Sequence, residues 1–124
     1  MNRLEKILSL HTIFILLIMV GMTCNTLIYK NNGGRMPVYM GYIDGGDIGL
    51  ISFETPRHFG FWDKSEVEYH YLADIIKVPF DDKIVSIGDI IMYIFGLAFL
   101  INSLFLIKEL NKRRNIDKGR LPSE

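Results

Sequence analysis

The chain has 124 residues, with 14 basic and 14 acidic side chains. That length fits a single domain, and the balanced overall charge implies no nucleic-acid partner. One cysteine, Cys24, excludes an internal disulfide.

Charge is segregated along the chain. Residues 7–28 contain no Asp, Glu, Lys or Arg. At about 1.5 Å per residue this run covers the roughly 30 Å hydrocarbon core of a bilayer and predicts a first transmembrane helix. Met22-Thr23-Cys24 superficially suggests a lipoprotein cleavage site. Gly21 and Thr23 stand where such a site wants a Leu-like and a small residue, and the run is long for a signal-peptide core. The segment therefore reads as a retained span. His11, inside it, is expected to bond a neighbour or to reach toward the interface.

Residues 30–83 form a loop with six basic and nine acidic residues, net −3. Asn31-Asn32-Gly33-Gly34 signals a turn, because Asn and Gly tolerate positive φ. Pro37 pushes Met36 toward extended backbone. Residues 38–53, with Gly41, Gly45, Gly46 and Gly49, read as irregular or short-strand material. Ser65-Glu66-Val67-Glu68 has the form of a capping box and predicts a helix over about 66–77, ending before Pro79. Val67, Tyr71, Asp74 and Val78 fall on one narrow stripe of it. With Phe59, Phe61, Trp62, Tyr69 and Tyr71 nearby, it is expected to be amphipathic and to lie on the outer membrane surface. A strand through residues 66–71 fits the local alternation but not the residues that follow.

Residues 90–107 are again free of charge, and the second transmembrane helix is expected over 86–107. Asn102 and Ser103 are tolerable inside it because they can bond a neighbouring helix or backbone carbonyls. Gly88, Gly96 and Ser103 form one small-residue line, along which Gly96 is expected to pack. The tail, 108–124, has six basic and three acidic residues, net +3. With Arg3 and Lys6 at the other end, the positive-inside rule puts both termini in the cytoplasm. Lys112-Arg113-Arg114 reads first as a stop-transfer anchor and second as a contact for anionic lipid. The fold class that follows is an all-α membrane protein, a hairpin of two transmembrane helices with an extracytoplasmic loop, placed in the cell membrane.

Asp89 sits about one turn inside the second span, and Asp74 lies in the stripe of the surface helix. Two close carboxylates in a low-dielectric site cannot both ionise easily, which is how an aspartyl protease obtains an acid and a base. The plainer reading is that Ser86-Ile87-Gly88-Asp89 caps the helix and Asp74 faces water. His58 and His70 have no ligand-like spacing. There is no Ser/His/Asp order, phosphate loop or CxxC motif, and neither a cofactor nor a metal is expected.

Three segments, Asn32-Gly33-Gly34-Arg35-Met36-Pro37-Val38, Tyr71-Leu72-Ala73-Asp74-Ile75-Ile76-Lys77-Val78-Pro79 and Val85-Ser86-Ile87-Gly88-Asp89-Ile90, together resemble an uncharacterised bacterial family of small multi-helix membrane proteins. The resemblance covers roughly residues 20–107 and implies membrane placement without an activity. It also implies further membrane helices before the first segment, so the chain is short for the group. A weaker likeness is to lipoprotein signal peptidase, with Asp74 and Asp89 in the places of its two catalytic aspartates. Asn25 matches the Asn of its upstream Asn-x-x-Asp motif, but Ile28 stands in place of that motif's Asp, and Ser86 replaces the Asn of another. Two helices are also fewer than that enzyme's four. The leading expectation is a non-enzymatic accessory or interaction subunit, partnered by the lipid bilayer and by another membrane protein or a second copy. The alternative is an aspartyl endopeptidase using Asp74 and Asp89.

Overall fold

The computed structural model describes residues 2–42, 56–80 and 83–118. Two long antiparallel helices are joined at one end by a small cap of short strands. The first helix, α1, spans Arg3–Asn31. It opens on a capping box that the sequence reading missed. The Asn2 side chain accepts from the Glu5 amide at 3.0 Å, and the Glu5 carboxylate accepts from the Asn2 amide at 2.8 Å. It closes at the expected turn, where Gly33 and Gly34 have φ of +67° and +73°. There the Gly34 amide donates to Tyr29 carbonyl at 2.9 Å, recovering one of the helix's orphan acceptors.

The cap follows. Strand β1, Met36–Tyr39, pairs in parallel with β2, His58–Phe61, in the register Met36↔His58 to Tyr39↔Phe61. Asp74 joins the other edge of β1. Its amide donates to Pro37 carbonyl at 3.0 Å, and its carbonyl accepts from the Tyr39 amide at 2.9 Å. Strands β3, Ile76–Lys77, and β4, Ile84–Val85, form an antiparallel pair leading into α2, Ile87–Lys118. Ile28, Met36, Phe61, Val67 and Ala73 make the buried core of the cap.

The helix expected over 66–77 is not formed. Lys64–Glu66 and His70–Leu72 are single 3₁₀ turns, and the run from Ala73 is extended. Asp63, rather than Ser65, does the capping, accepting from the Ser65 amide at 2.9 Å. Val67 is already extended, and Tyr69 takes a left-handed φ of +55°, which a helix cannot continue through. Beyond it, Ile75, Ile76 and Val78 are β-branched and precede Pro79, a composition that favours pairing over helix. The stripe also separates, since Val67 is buried while Tyr71 is exposed. The fold is therefore largely helical with a mixed cap, not all-α. Residues 43–53 of the stretch read as irregular lie outside the described residues.

Helix α2 begins where expected, and Ser86 is its N-cap. The Ser86 hydroxyl accepts from the Asp89 amide at 3.0 Å, and the Asp89 carboxylate accepts from the Ser86 amide at 3.3 Å. It runs eleven residues past 107, because the following Lys, Glu, Leu, Asn and Arg residues are compatible with helix. Glu109 ties the two helices at this end, lying 3.7 Å from Arg3 and 3.6 Å from Arg113.

The helices approach each other closely at two glycines. A Cβ added at Gly88 would lie 2.7 Å from the Gly21 carbonyl oxygen, and one at Gly21 would lie 2.7 Å from that of Gly88. Gly96, expected to pack, has open space where its Cβ would be, so the line through Gly96 is not the α1–α2 contact. Farther along, polar groups join the pair. The Asn102 amide donates to Ile7 carbonyl at 3.0 Å and to His11 Nδ1 at 2.6 Å, while His11 Nε2 lies 3.1 Å from Ser103 Oγ. Ser103 donates to Phe99 carbonyl at 2.8 Å, so the network is complete with the Nε2-protonated tautomer of His11.

Candidate functional site

A cavity of about 570 Å³ opens between the cap and the ends of both helices. The last turns of α1 present Asn25, Thr26, Tyr29 and Lys30 to it, positions i, i+1, i+4 and i+5 of one helix face. The cap contributes Met36, His58 and Asp74, and α2 contributes Asp89. Asp74 and Asp89, singled out in the sequence for one possible chemistry, thus line a common cavity. Asp74 does not face bulk water: it is 6% exposed.

Asp89 is held from two sides. Its Oδ1 accepts from the Asn25 side-chain amide at 2.7 Å, and its Oδ2 accepts from the Ser86 amide. The Ser86 hydroxyl donates to Asn25 Oδ1 at 2.9 Å, so Asn25, Ser86 and Asp89 fix one another's orientation. Gly88 is what allows this, since a side chain there would collide with Asn25. The capping pattern read from the sequence is present, but it also braces α2 against α1. Asp89→Asn is therefore expected to cost more than a lost cap. An amide nitrogen would face either Asn25 Nδ2 or the Ser86 amide, donor against donor. A loss of about 1–3 kcal/mol in thermal or denaturant unfolding is expected.

Asp74 is placed differently. Its backbone is fixed by the bridge to β1, and its Oδ1 is buried with no hydrogen-bond partner among the described residues. Burial, and then the charge of Asp89, push its carboxyl up to about 7. At neutral pH it therefore keeps its proton about half the time, beside a carboxylate that accepts two hydrogen bonds. The sequence reading missed Thr26, Tyr29 and Lys30 as cavity residues. Their helical spacing with Asn25 was the available signal, but nothing local said which face the cap would cover.

A protein-family model described as a family of unknown function (DUF5317) matches residues 6–102. The chain belongs to that family. The match takes in every residue of the cavity, the Gly21–Gly88 approach and the His11–Asn102 contact, and it ends before Glu109 and the basic end of α2. The family resemblance carried by the three sequence segments is thus correct. No curated protein and no solved structure matches this DUF5317 chain, so the likeness to lipoprotein signal peptidase rests on its motif residues alone.

Proposed function

We propose that the chain is a two-span integral protein of the cell membrane, with both termini in the cytoplasm, that serves as a non-enzymatic assembly subunit. The supporting observation is the surface of the helices. Both are long and apolar enough to cross a bilayer, and almost none of that apolar length is buried within the chain. Leu16, Leu100 and Leu104 are each more than half exposed. A core helix of a water-soluble domain hides such residues. Here they are left for acyl chains and for the helices of a partner or of a second copy. The helix ends bearing Arg3, Lys6, Lys108, Lys112, Arg113 and Arg114 lie together, which supports the cytoplasmic assignment.

Reporter fusions at Arg3 and Lys112 are expected to be active only as cytoplasmic reporters. An insertion near Gly45, outside the described residues, should report from the far side. A cytoplasmic Gly45 overturns the orientation. Purification in mild detergent should yield a stoichiometric membrane partner or a homo-oligomer.

The shared cavity favours a second reading, an aspartyl endopeptidase. Asp89 would take a proton from water as its oxygen attacks a peptide carbonyl carbon. Asp74 would give its proton to the carbonyl oxygen, forming a gem-diol; as the C–N bond then breaks, Asp89 would pass its proton to the departing amine nitrogen and Asp74 would recover one from a gem-diol hydroxyl. In this case Asp74→Asn and Asp89→Asn each abolish cleavage of a lipopeptide substrate, and the double substitution costs no more than either single one. Cleavage that survives Asp74→Asn in a folded variant removes the enzymatic reading.

A further inference from the structure

Asp74 Oδ1 is a buried acceptor that meets no donor within the described residues, and it belongs to a residue lining the cavity. The side chain is more than nine-tenths buried, so bulk water does not reach it freely. Asp89 stands at the same cavity and accepts one hydrogen bond on each oxygen among the described residues, leaving lone pairs on both. Lys30, exposed at the rim, has no ion-pair partner among the described residues. The cavity is thus acidic on its buried wall and basic at its mouth. Its complement is a zwitterion with a cationic end that donates hydrogen bonds and an anionic end a few bonds away.

The donor requirement narrows the cation. A primary ammonium offers three N–H groups, enough to meet Asp74 Oδ1 and an Asp89 oxygen together. A quaternary ammonium has none and would leave Asp74 Oδ1 unmatched. A zwitterion carrying an extra carboxylate would bring like charge toward the two aspartates. On the outer side, Lys30 suits a phosphate as a compact point charge. We propose that this cavity binds a phosphoethanolamine group, with its ammonium on Asp74 and Asp89 and its phosphate on Lys30.

Such a group has two sources, the headgroup of an aminophospholipid or a soluble phosphoethanolamine. The cavity lies at the ends of both helices, where headgroups sit if these helices span a bilayer. The lipid source therefore rests on the membrane reading above, whereas the site itself does not. The test uses the full chain in maltoside micelles and native mass spectrometry with short-chain phosphatidylethanolamine, phosphatidylcholine and phosphatidylglycerol at equal concentration. A preference for phosphatidylethanolamine of roughly tenfold or more is expected. Asp74→Asn should abolish that preference while keeping its helical spectrum and a cooperative melting transition no lower than that of the native chain at neutral pH, and Lys30→Met should weaken binding several-fold.

Equal binding of the choline and ethanolamine lipids, or a preference that survives Asp74→Asn, overturns the proposal. Displacement of the bound lipid by excess soluble phosphoethanolamine supports the site and shows that the headgroup alone suffices. Resistance to displacement supports the site and assigns the lipid as its occupant. The reporter fusions test the membrane reading separately. Should they fail while ethanolamine selectivity persists, the site stands and its lipid source does not.

Discussion

Gly88→Leu is expected to separate the cap-side ends of the two helices and to abolish the cooperative melting transition in detergent. A side chain at this position meets the Asn25 side chain first, and its Cβ alone would sit 2.7 Å from the Gly21 carbonyl oxygen. The second contact is the decisive one, because a backbone oxygen in the middle of a helix cannot rotate away. Relief requires moving α1, and that breaks the Asn25–Asp89 and Asn25–Ser86 hydrogen bonds. Forcing added bulk into a close contact costs about 1–3 kcal/mol where side chains can adjust. Here the loss of two partly buried hydrogen bonds adds to it. Gly96→Leu is the matched control, since its side chain would enter open space. It should melt within about 0.5 kcal/mol of the native chain. Equal melting of the two variants would show that the glycine contact does not hold the pair together.

Asp74→Asn is expected to stabilise the protein at neutral and alkaline pH. The carboxyl is raised from 3.8 in the unfolded chain to about 7 in the fold. Between those values the native state holds a proton that the unfolded state has released, so stability falls by about 1.4 kcal/mol per pH unit as pH rises. The contribution is whole below pH 3.8, is lost through about pH 7, and changes no further above that. The full span is on the order of 4 kcal/mol. An asparagine does not titrate, so the variant should lack this slope and overtake the native chain as pH rises. Melting curves from pH 4 to 9 in one detergent measure the difference directly. A native chain whose stability is flat over that range, or one that matches the variant throughout, would mean that Asp74 is ionised in the fold at neutral pH.

Some of the cavity could be read without a structure. Ser86 and Asp89 lie three residues apart, and the capping chemistry they perform involves only their own backbone amides, so pattern alone revealed it. That Asn102 and Ser103 would find partners inside an apolar helix was likewise expected from the cost of leaving them bare. The cap was misread for a reason of the same kind working in reverse. Ser65-Glu66-Val67-Glu68 offers a local helix start, but the segment beyond it gains hydrogen bonds to β1 instead. Those bonds join Asp74 to Pro37 and Tyr39, more than thirty residues away, and no window of neighbouring residues contains them. Tyr69, in its left-handed conformation, is the point where local preference yields to that pairing.

Chain-local chemistry settled the presence and apolarity of the two helices, the Gly33-Gly34 turn and the cap at Ser86, because each depends on residues close to one another in the chain. Which small residues touch, which partner His11 takes and what surrounds Asp74 were decided by the rotation of α1 against α2 and by the fold of the cap. Helix rotation in a pair this apolar is set by close packing and by a few interhelical hydrogen bonds, since an apolar surface that faces lipid looks the same in sequence as one that faces a helix. Gly21–Gly88, Asn25–Asp89 and Asn102–Ile7 select one rotation, and that rotation turns Asn25, Tyr29 and Lys30 beneath the cap. The carboxyl of Asp74 then becomes a buried group beside a second carboxylate, a property that arises from enclosure and proximity rather than from any neighbour in the chain.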